Sequence, residues 1–267
     1  MWTPRRNLSI AVLAGALTAA AAAPSTASAD PVYSITHFDV IPITVAGVDF
    51  QQEAYKILFR YREASKTDPG LVSFSILDLV PPETNHSEIV QVWSGDAAYR
   101  AHLANAHTVA FRWKVQGDPA LAGGNCCVGS PIDDRQYTLV KSFKAPWPKA
   151  LSTKAGPAGA TYVITYVDFL QNGNVAAGRR LLLDYGGKTA KADGLAGYGV
   201  LRQLDRPNRF ATLEAWGTRQ SYEAWQKDAA TSALNAKARP LLGSPPDQRV
   251  TILCGSTFVN GKGCTAP

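Results

Sequence analysis

The chain has 267 residues, 46% of them hydrophobic, and a formal net charge of +6 at pH 7. The basic excess is spread thinly, with no Lys/Arg run and no basic–aromatic interleaving, which argues against a nucleic-acid partner. The length suits one large domain or two of about 100 residues each.

The first segment reads as one to be removed. Arg5 and Arg6, an apolar run from Ile10 to Ala23 and Ala27-Ser28-Ala29 before Asp30 form the three parts of a secretory signal peptide over residues 1–29. Arg5-Arg6-Asn7-Leu8 also fits a twin-arginine signal. The run is shorter than the ~20 residues a membrane span needs, and no later run is long enough. Cleavage takes two arginines and no acids, so residues 30–267 carry +4 and are expected in the periplasm or outside the cell.

The first strand is expected over Val32 to Ile41. A helix follows over Asp49 to Thr67, with Phe50, Ala54, Ile57, Leu58 and Tyr61 at 3.6-type spacing, stopped by Pro69-Gly70. Leu71 to Val80 is the second strand, closed by Pro81-Pro82. Ile89, Val90, Val92 and Trp93 suit a half-buried third strand. Gly95 ends it, and Asp96 can cap a second helix whose core stripe is Tyr99, Leu103, Ala106, Ala110 and Trp113. Tyr137 to Phe143 is the fourth strand, and residues 144–160, rich in Pro, Gly, Ala and Lys, are a linker. After it come strands at Tyr162 to Leu170, Tyr198 to Leu204, Phe210 to Trp216 and Arg249 to Cys254. The helices there are Val175 to Lys191 and Arg219 to Ala238. Residues 257–267 are a tail.

The two halves are similar. Tyr61 to Leu77 parallels Asp184 to Leu201, with Gly70, Leu71 and Phe74 against Gly194, Leu195 and Tyr198. Gln91 to His102 parallels Glu214 to Trp225. The steady offset argues for duplication. Each half reads βαββαβ, so the fold class is α+β: ferredoxin-like units at 30–143 and 161–256, packed sheet to sheet, each covering the other's open face.

Four cysteines, Cys126, Cys127, Cys254 and Cys264, favour disulfides in an exported chain. The preferred pairing ties Cys126 or Cys127 to Cys254 or Cys264; a vicinal Cys126–Cys127 bond with Cys254–Cys264 is the alternative. No metal is expected. The thiols lack zinc spacing, and His102 and His107 lie about 140° apart on a continuous helix. Gly187-Lys188-Thr189 is not a phosphate loop, because Leu182 stands where its first glycine belongs.

Three features taken together resemble the antibiotic biosynthesis monooxygenase (ABM) family of dimeric α+β barrels: Pro69-Gly70-Leu71, Val92-Trp93, and His102 with His107. The resemblance covers 32–143 closely and 162–254 more weakly. It implies a barrel whose lumen holds a flat hydrophobic substrate, oxidised by O2 with no metal, flavin or other cofactor. Under it, Trp93 lines the pocket, His107 moves a proton and His102 orients or replaces it. Tyr99, Phe111, Phe74 and His37 are candidate substrate contacts. The second half has Trp225 and Ala230 at the histidine positions, so chemistry is expected in the first half, with the second as a structural lid. Gln91 departs from the acid that relatives carry two residues before the Trp, whereas Glu214 keeps it. The first strand has no Asn, which argues against haem breakdown. Two readings stand: a cofactor-independent monooxygenase of a small aromatic or quinol-like compound, or a non-catalytic binding or structural barrel. Either is a monomeric pseudo-dimer with a small hydrophobic partner. A histidine merely satisfied near the core remains the competing account of His107.

Overall fold

A computed structural model describes residues 30–40, 44–45, 47–80, 85–116, 132–147, 149, 160–171, 173–255, 258–259 and 263–264. The segment read as a signal peptide lies outside them, as do Cys126 and Cys127. Among the described residues no helix is long and apolar enough to cross a bilayer.

The first half contains β1 (Val32–Asp39), a short hairpin of β2 (Thr44–Val45) and β3 (Val48–Asp49), and α1 (Phe50–Ser65). It continues with β4 (Leu71–Leu79), β5 (His86–Trp93), α2 (Asp96–Ala104), α3 (Ala106–Gln116) and β6 (Asp133–Lys144). The second half contains β7 (Thr161–Asp168), α4 (Asn174–Thr189), β8 (Leu195–Gln203), β9 (Arg209–Trp216), α5 (Arg219–Gln226), α6 (Ala229–Ala238) and β10 (Asp247–Leu253). The Asp49 carboxylate caps α1 by accepting from the Gln52 amide at 3.0 Å.

The eight long strands close into one antiparallel barrel in the order β1-β5-β4-β10-β7-β9-β8-β6. Each half contributes a contiguous four-stranded block in ferredoxin-like order. The blocks meet at two equivalent seams, β4 with β10 and β6 with β8. The expectation of two α+β units facing each other holds, but they also share hydrogen bonds along both edges. No sheet edge is left open within the barrel.

Duplication is visible in the geometry. Leu71 and Leu195 pair with Trp93 and Trp216, and each strand has a bulge just after that residue. Gly70 and Gly194 adopt φ of +84° and +79° and accept from the Ser94 and Gly217 amides at 2.8 and 2.7 Å. A Cβ on Gly70 would come within 2.6 Å of Ala98 Cβ, so glycine is required there by backbone angle and by space.

One core cluster draws on strands of both halves and on no helix: Tyr33, Ile35, Leu77, Val90, Val92, Tyr137, Tyr162, Ile164, Tyr166, Leu201 and Leu213 are among it. These side chains fill the lumen. Trp147 joins them from the segment read only as a linker, edge-on to Tyr162 with ring centroids 5.7 Å apart. The expected substrate-holding lumen is therefore a packed core. Two further clusters lie between each sheet block and its own helices.

The second helix of each half is broken. Asn105 is extended (ψ 143°) between α2 and α3, and α5 ends at Gln226, capped by Lys227, before α6 begins. The single stripe expected from Tyr99 to Trp113 is corrected by this break: Tyr99, His102, Thr108, Phe111 and Val115 are buried, whereas Trp113 is 56% exposed.

Candidate functional site

Two sites lie at equivalent places in the two halves, between the sheet and its helices. In the first, Tyr61 on α1 is the centre. Phe111 stacks on it in parallel at 4.0 Å, and Phe74 meets it edge-on at 5.3 Å. The Tyr61 hydroxyl is 2.7 Å from His102 Nε2, and Trp93 lies against the His102 ring at 4.4 Å. Tyr99 is buried and donates to Asp134 at 2.7 Å. The break at Asn105 then changes the angular argument. His102 Nδ1 and His107 Nε2 both reach Asp68 Oδ2, at 2.6 and 2.9 Å, while Asn105 Nδ2 donates to Asp68 Oδ1 at 2.6 Å. The histidines that could not share a face of one continuous helix converge on one carboxylate. Burial pushes the His102 pKa down, with Asp68 opposing it.

Six of the seven predicted site residues thus gather: Trp93, His102, His107, Tyr99, Phe111 and Phe74. His37 does not. It pairs with Glu88 on β5, whereas Trp93 pairs with Val32, so the two sit at opposite ends of the same strand pair. There His37 Nδ1 is 3.0 Å from Glu88 Oε1, in a network with Arg249 and Tyr166. The expected contact of His37 with a shared substrate is corrected accordingly. His102 is fully buried, and the opening beside this site is a shallow groove of about 200 Å³ bordered by His107, Tyr61, Phe111, Arg60 and Lys114.

The second half holds a half-open cavity of about 290 Å³ beneath α4 and α6. Its walls include Val167, Phe169, Leu182, Tyr185, Tyr198, Glu214, Gln226 and Leu234. Glu214 is fully buried, and its Oε2 accepts from the Trp216 indole at 2.9 Å. Burial raises its pKa to about 7, with the Trp216 hydrogen bond opposing. Tyr198 is also raised, by burial and then by Glu214. Among the described residues, the Tyr198 hydroxyl and Gln226 Nε2 are buried with no partner of hydrogen-bonding geometry. The Tyr185 hydroxyl accepts from Trp225 Nε1 at 3.1 Å.

The duplication explains why the space is here. Phe111 and Val115 have Leu234 and Ala238 as counterparts 123 residues on, and both line the cavity. In the first half Phe111 occupies the space over Tyr61; in the second the smaller Leu234 leaves it open over Tyr185. Sequence reasoning noted Glu214 only as the acid before a Trp and gave the cavity residues no role. It missed Asp68 altogether, which stands just before the Pro69-Gly70 helix stop.

Comparison with known proteins agrees with this geometry. The family model described as antibiotic biosynthesis monooxygenase matches residues 161–237. Residues 161–237 belong to the ABM family. The match falls on the half expected to resemble that family more weakly. Several solved structures share the fold. A monooxygenase candidate from Fusobacterium nucleatum superposes with TM-score 0.65 at 11% identity, covering 88% of this chain and 97% of its own. An anthrone oxidase-like protein gives 0.60 at 14%, covering 85% and 92%. A monooxygenase candidate from Lactobacillus acidophilus gives 0.58 at 11%, covering 89% and 99%. At these identities the likeness concerns the fold. No curated protein matches the sequence.

Proposed function

We propose that this ABM protein is a cofactor-independent monooxygenase whose substrate, an electron-rich phenol, quinol or anthrone, binds in the second-half cavity. The observation that carries the reading is Glu214, a buried carboxyl with a pKa of about 7 facing a half-open, largely apolar cavity. A base poised near neutrality can take a proton from a substrate O–H or activated C–H. Tyr198 and Gln226, with unused polar atoms, orient the ring oxygen. The resulting anion is electron-rich enough to reduce O2 directly. For an anthrone, both methylene C–H bonds break, one oxygen atom becomes the new carbonyl and the other leaves as water. The methylene supplies all four electrons, so no external reductant, metal or flavin is required. The cavity volume is at the small end for ligand sites, which suits a compact ring system.

On this reading the roles sketched for His107, His102 and Trp93 pass to Glu214 and its neighbours. The protein works as a monomeric pseudo-dimer, with neither nucleic acid nor membrane as partner, and is exported to the periplasm or beyond. A mature N-terminus at Asp30 would support export. The competing reading, a binding barrel without chemistry, draws on the closed packing of the first half and predicts ligand retention without oxygen consumption. Oxygen uptake with a panel of anthrones and hydroquinones separates them. We expect uptake by the wild type and a loss of about 10²-fold or more in Glu214→Gln; uptake no greater than that of Glu214→Gln across the panel would remove the enzyme reading.

A further inference from the structure

We infer that Asp68, His102 and His107 form a divalent transition-metal site in the first half, separate from the cavity of the second. The ligand atoms of these three side chains all lie within 4.8 Å of one another. Two imidazoles and one carboxylate are a donor set that zinc and similar ions accept. Ligand atoms around a tetrahedral zinc stand ~3.3 Å apart, as follows from bonds of about 2.0–2.1 Å. The observed separations from Asp68 Oδ2, 2.6 Å to His102 Nδ1 and 2.9 Å to His107 Nε2, require only a small outward shift.

The surroundings are those of a supported metal centre. Asp68 Oδ1 is held by Asn105 Nδ2 at 2.6 Å, which turns Oδ2 toward both rings. The other nitrogen of His102, Nε2, is 2.7 Å from the Tyr61 hydroxyl. That contact lets His102 carry its proton on Nε2 and offer Nδ1 to the ion, the arrangement by which metal-bound histidines are oriented. Asp68 and His102 are buried, whereas the His107 side chain is 25% exposed and borders the 200 Å³ groove. An ion can therefore enter past His107, and a fourth position can open toward the groove.

The duplicated half supplies an internal comparison. Tyr61 and Thr108 have like counterparts in Tyr185 and Thr231, but Asp68, His102 and His107 correspond to Ala192, Trp225 and Ala230. All three proposed ligands are absent from the copy together, while the hydroxyl-bearing neighbours are kept. A second histidine–carboxylate group, His37, Asp39 and His86, lies at the barrel mouth. There Arg249 contacts His37, and a fixed positive charge opposes a cation.

The experiment is metal binding by the full chain, with zinc and cobalt(II) as probes. Calorimetry of the metal-free protein with zinc should give one site per chain, and cobalt(II) should develop the visible absorption of a low-symmetry, four-coordinate ion. His107→Ala, at a partly exposed position, and Asp68→Asn, which keeps the shape of the side chain, should each weaken zinc binding at least tenfold, with far-ultraviolet circular dichroism unchanged. His86→Ala should leave it intact. Zinc binding that is absent from the wild type, that survives both first-half variants, or that disappears in His86→Ala would overturn the assignment. Because the readout is binding, it stands or falls independently of oxygen uptake in the second-half cavity.

Discussion

At the scale of single residues, the informative contrast is Gln91 against Glu214. Both stand two residues before a buried tryptophan and accept from its indole, at 3.4 Å in one half and 2.9 Å in the other. Gln91 is neutral and also contacts His102, at 3.4 Å, so it belongs to a packed network. Glu214 titrates, and its buried position raises the pKa from 4.5 to about 7. The sign follows from proton binding. Between these values the folded chain holds a proton that the unfolded chain has lost, so stability falls as pH rises through the window and levels off above it. The shift corresponds to about 3 kcal/mol of destabilisation at pH 8. Glu214→Gln removes the charge and keeps an acceptor for Trp216. Its melting temperature should exceed that of the wild type at pH 8, and the gap should close toward pH 4.5 as the wild-type carboxyl becomes protonated. Thermal melts across that range check this; a variant less stable than the wild type at pH 8 would contradict a raised Glu214. The histidines could be read from the sequence as chemistry-bearing, but their meeting point could not. Asp68 lies 34 residues before His102, and a break in backbone angle at Asn105 has no strong signature in residue type.

At the scale of elements, periodicity located the eight barrel strands and the first helix of each half to within a few residues, and missed the β2–β3 hairpin. It failed where a helix changes direction. A stripe drawn through Tyr99 and Trp113 assumes one axis; with Asn105 extended, α3 presents Thr108, Phe111 and Val115 instead. The same break lets the second-half helix pair arch over a cavity. What then decides between packed and open is side-chain volume at two equivalent positions, Phe111 and Val115 against Leu234 and Ala238. Leu234→Phe should reproduce the first-half stack, with the new ring over Tyr185 as Phe111 lies over Tyr61 at 4.0 Å. Filling existing space costs little, so stability should stay within about 1 kcal/mol of the wild type or rise. Ligand binding and oxygen uptake should fall at least tenfold. Chemical denaturation and activity assays on the same preparation test both halves of this statement, and retained turnover would show that the cavity is not where substrate sits.

For the whole molecule, the duplication made two facing α+β units legible, because each half carries a sheet that needs cover. The edge pairing and the filled lumen were not legible. Seam hydrogen bonds are main-chain interactions between strands more than 50 residues apart, and they leave little mark on side-chain identity. Trp147, which closes part of the core, sits in a stretch whose Pro, Gly, Ala and Lys content signals a connection. The two seams also differ in strength. At one, β6 and β8 run together from Tyr137 opposite Gln203 to Lys144 opposite Gly197, with one bulge. At the other, β10 and β4 pair only over Thr251 to Leu253 with Leu79 to Leu77, extended by single amide contacts from Val80 and Cys254. Cys254 itself is disulfide-bonded, and Arg62 Nη1 donates to the Gly255 carbonyl at 3.0 Å, so the strand end is tethered beyond a short ladder. Local opening begins where the fewest interactions must be broken at once. Native-state hydrogen exchange should therefore show the amides of Thr251 to Leu253 and Leu77 to Leu79 losing protection before those of Leu139 to Phe143. Reduction of the disulfide should widen the difference by freeing the end of β10. Exchange at the β6–β8 seam that is as early as at β4–β10 would mean that the barrel opens as one unit. The shorter ladder would then not be its weak side.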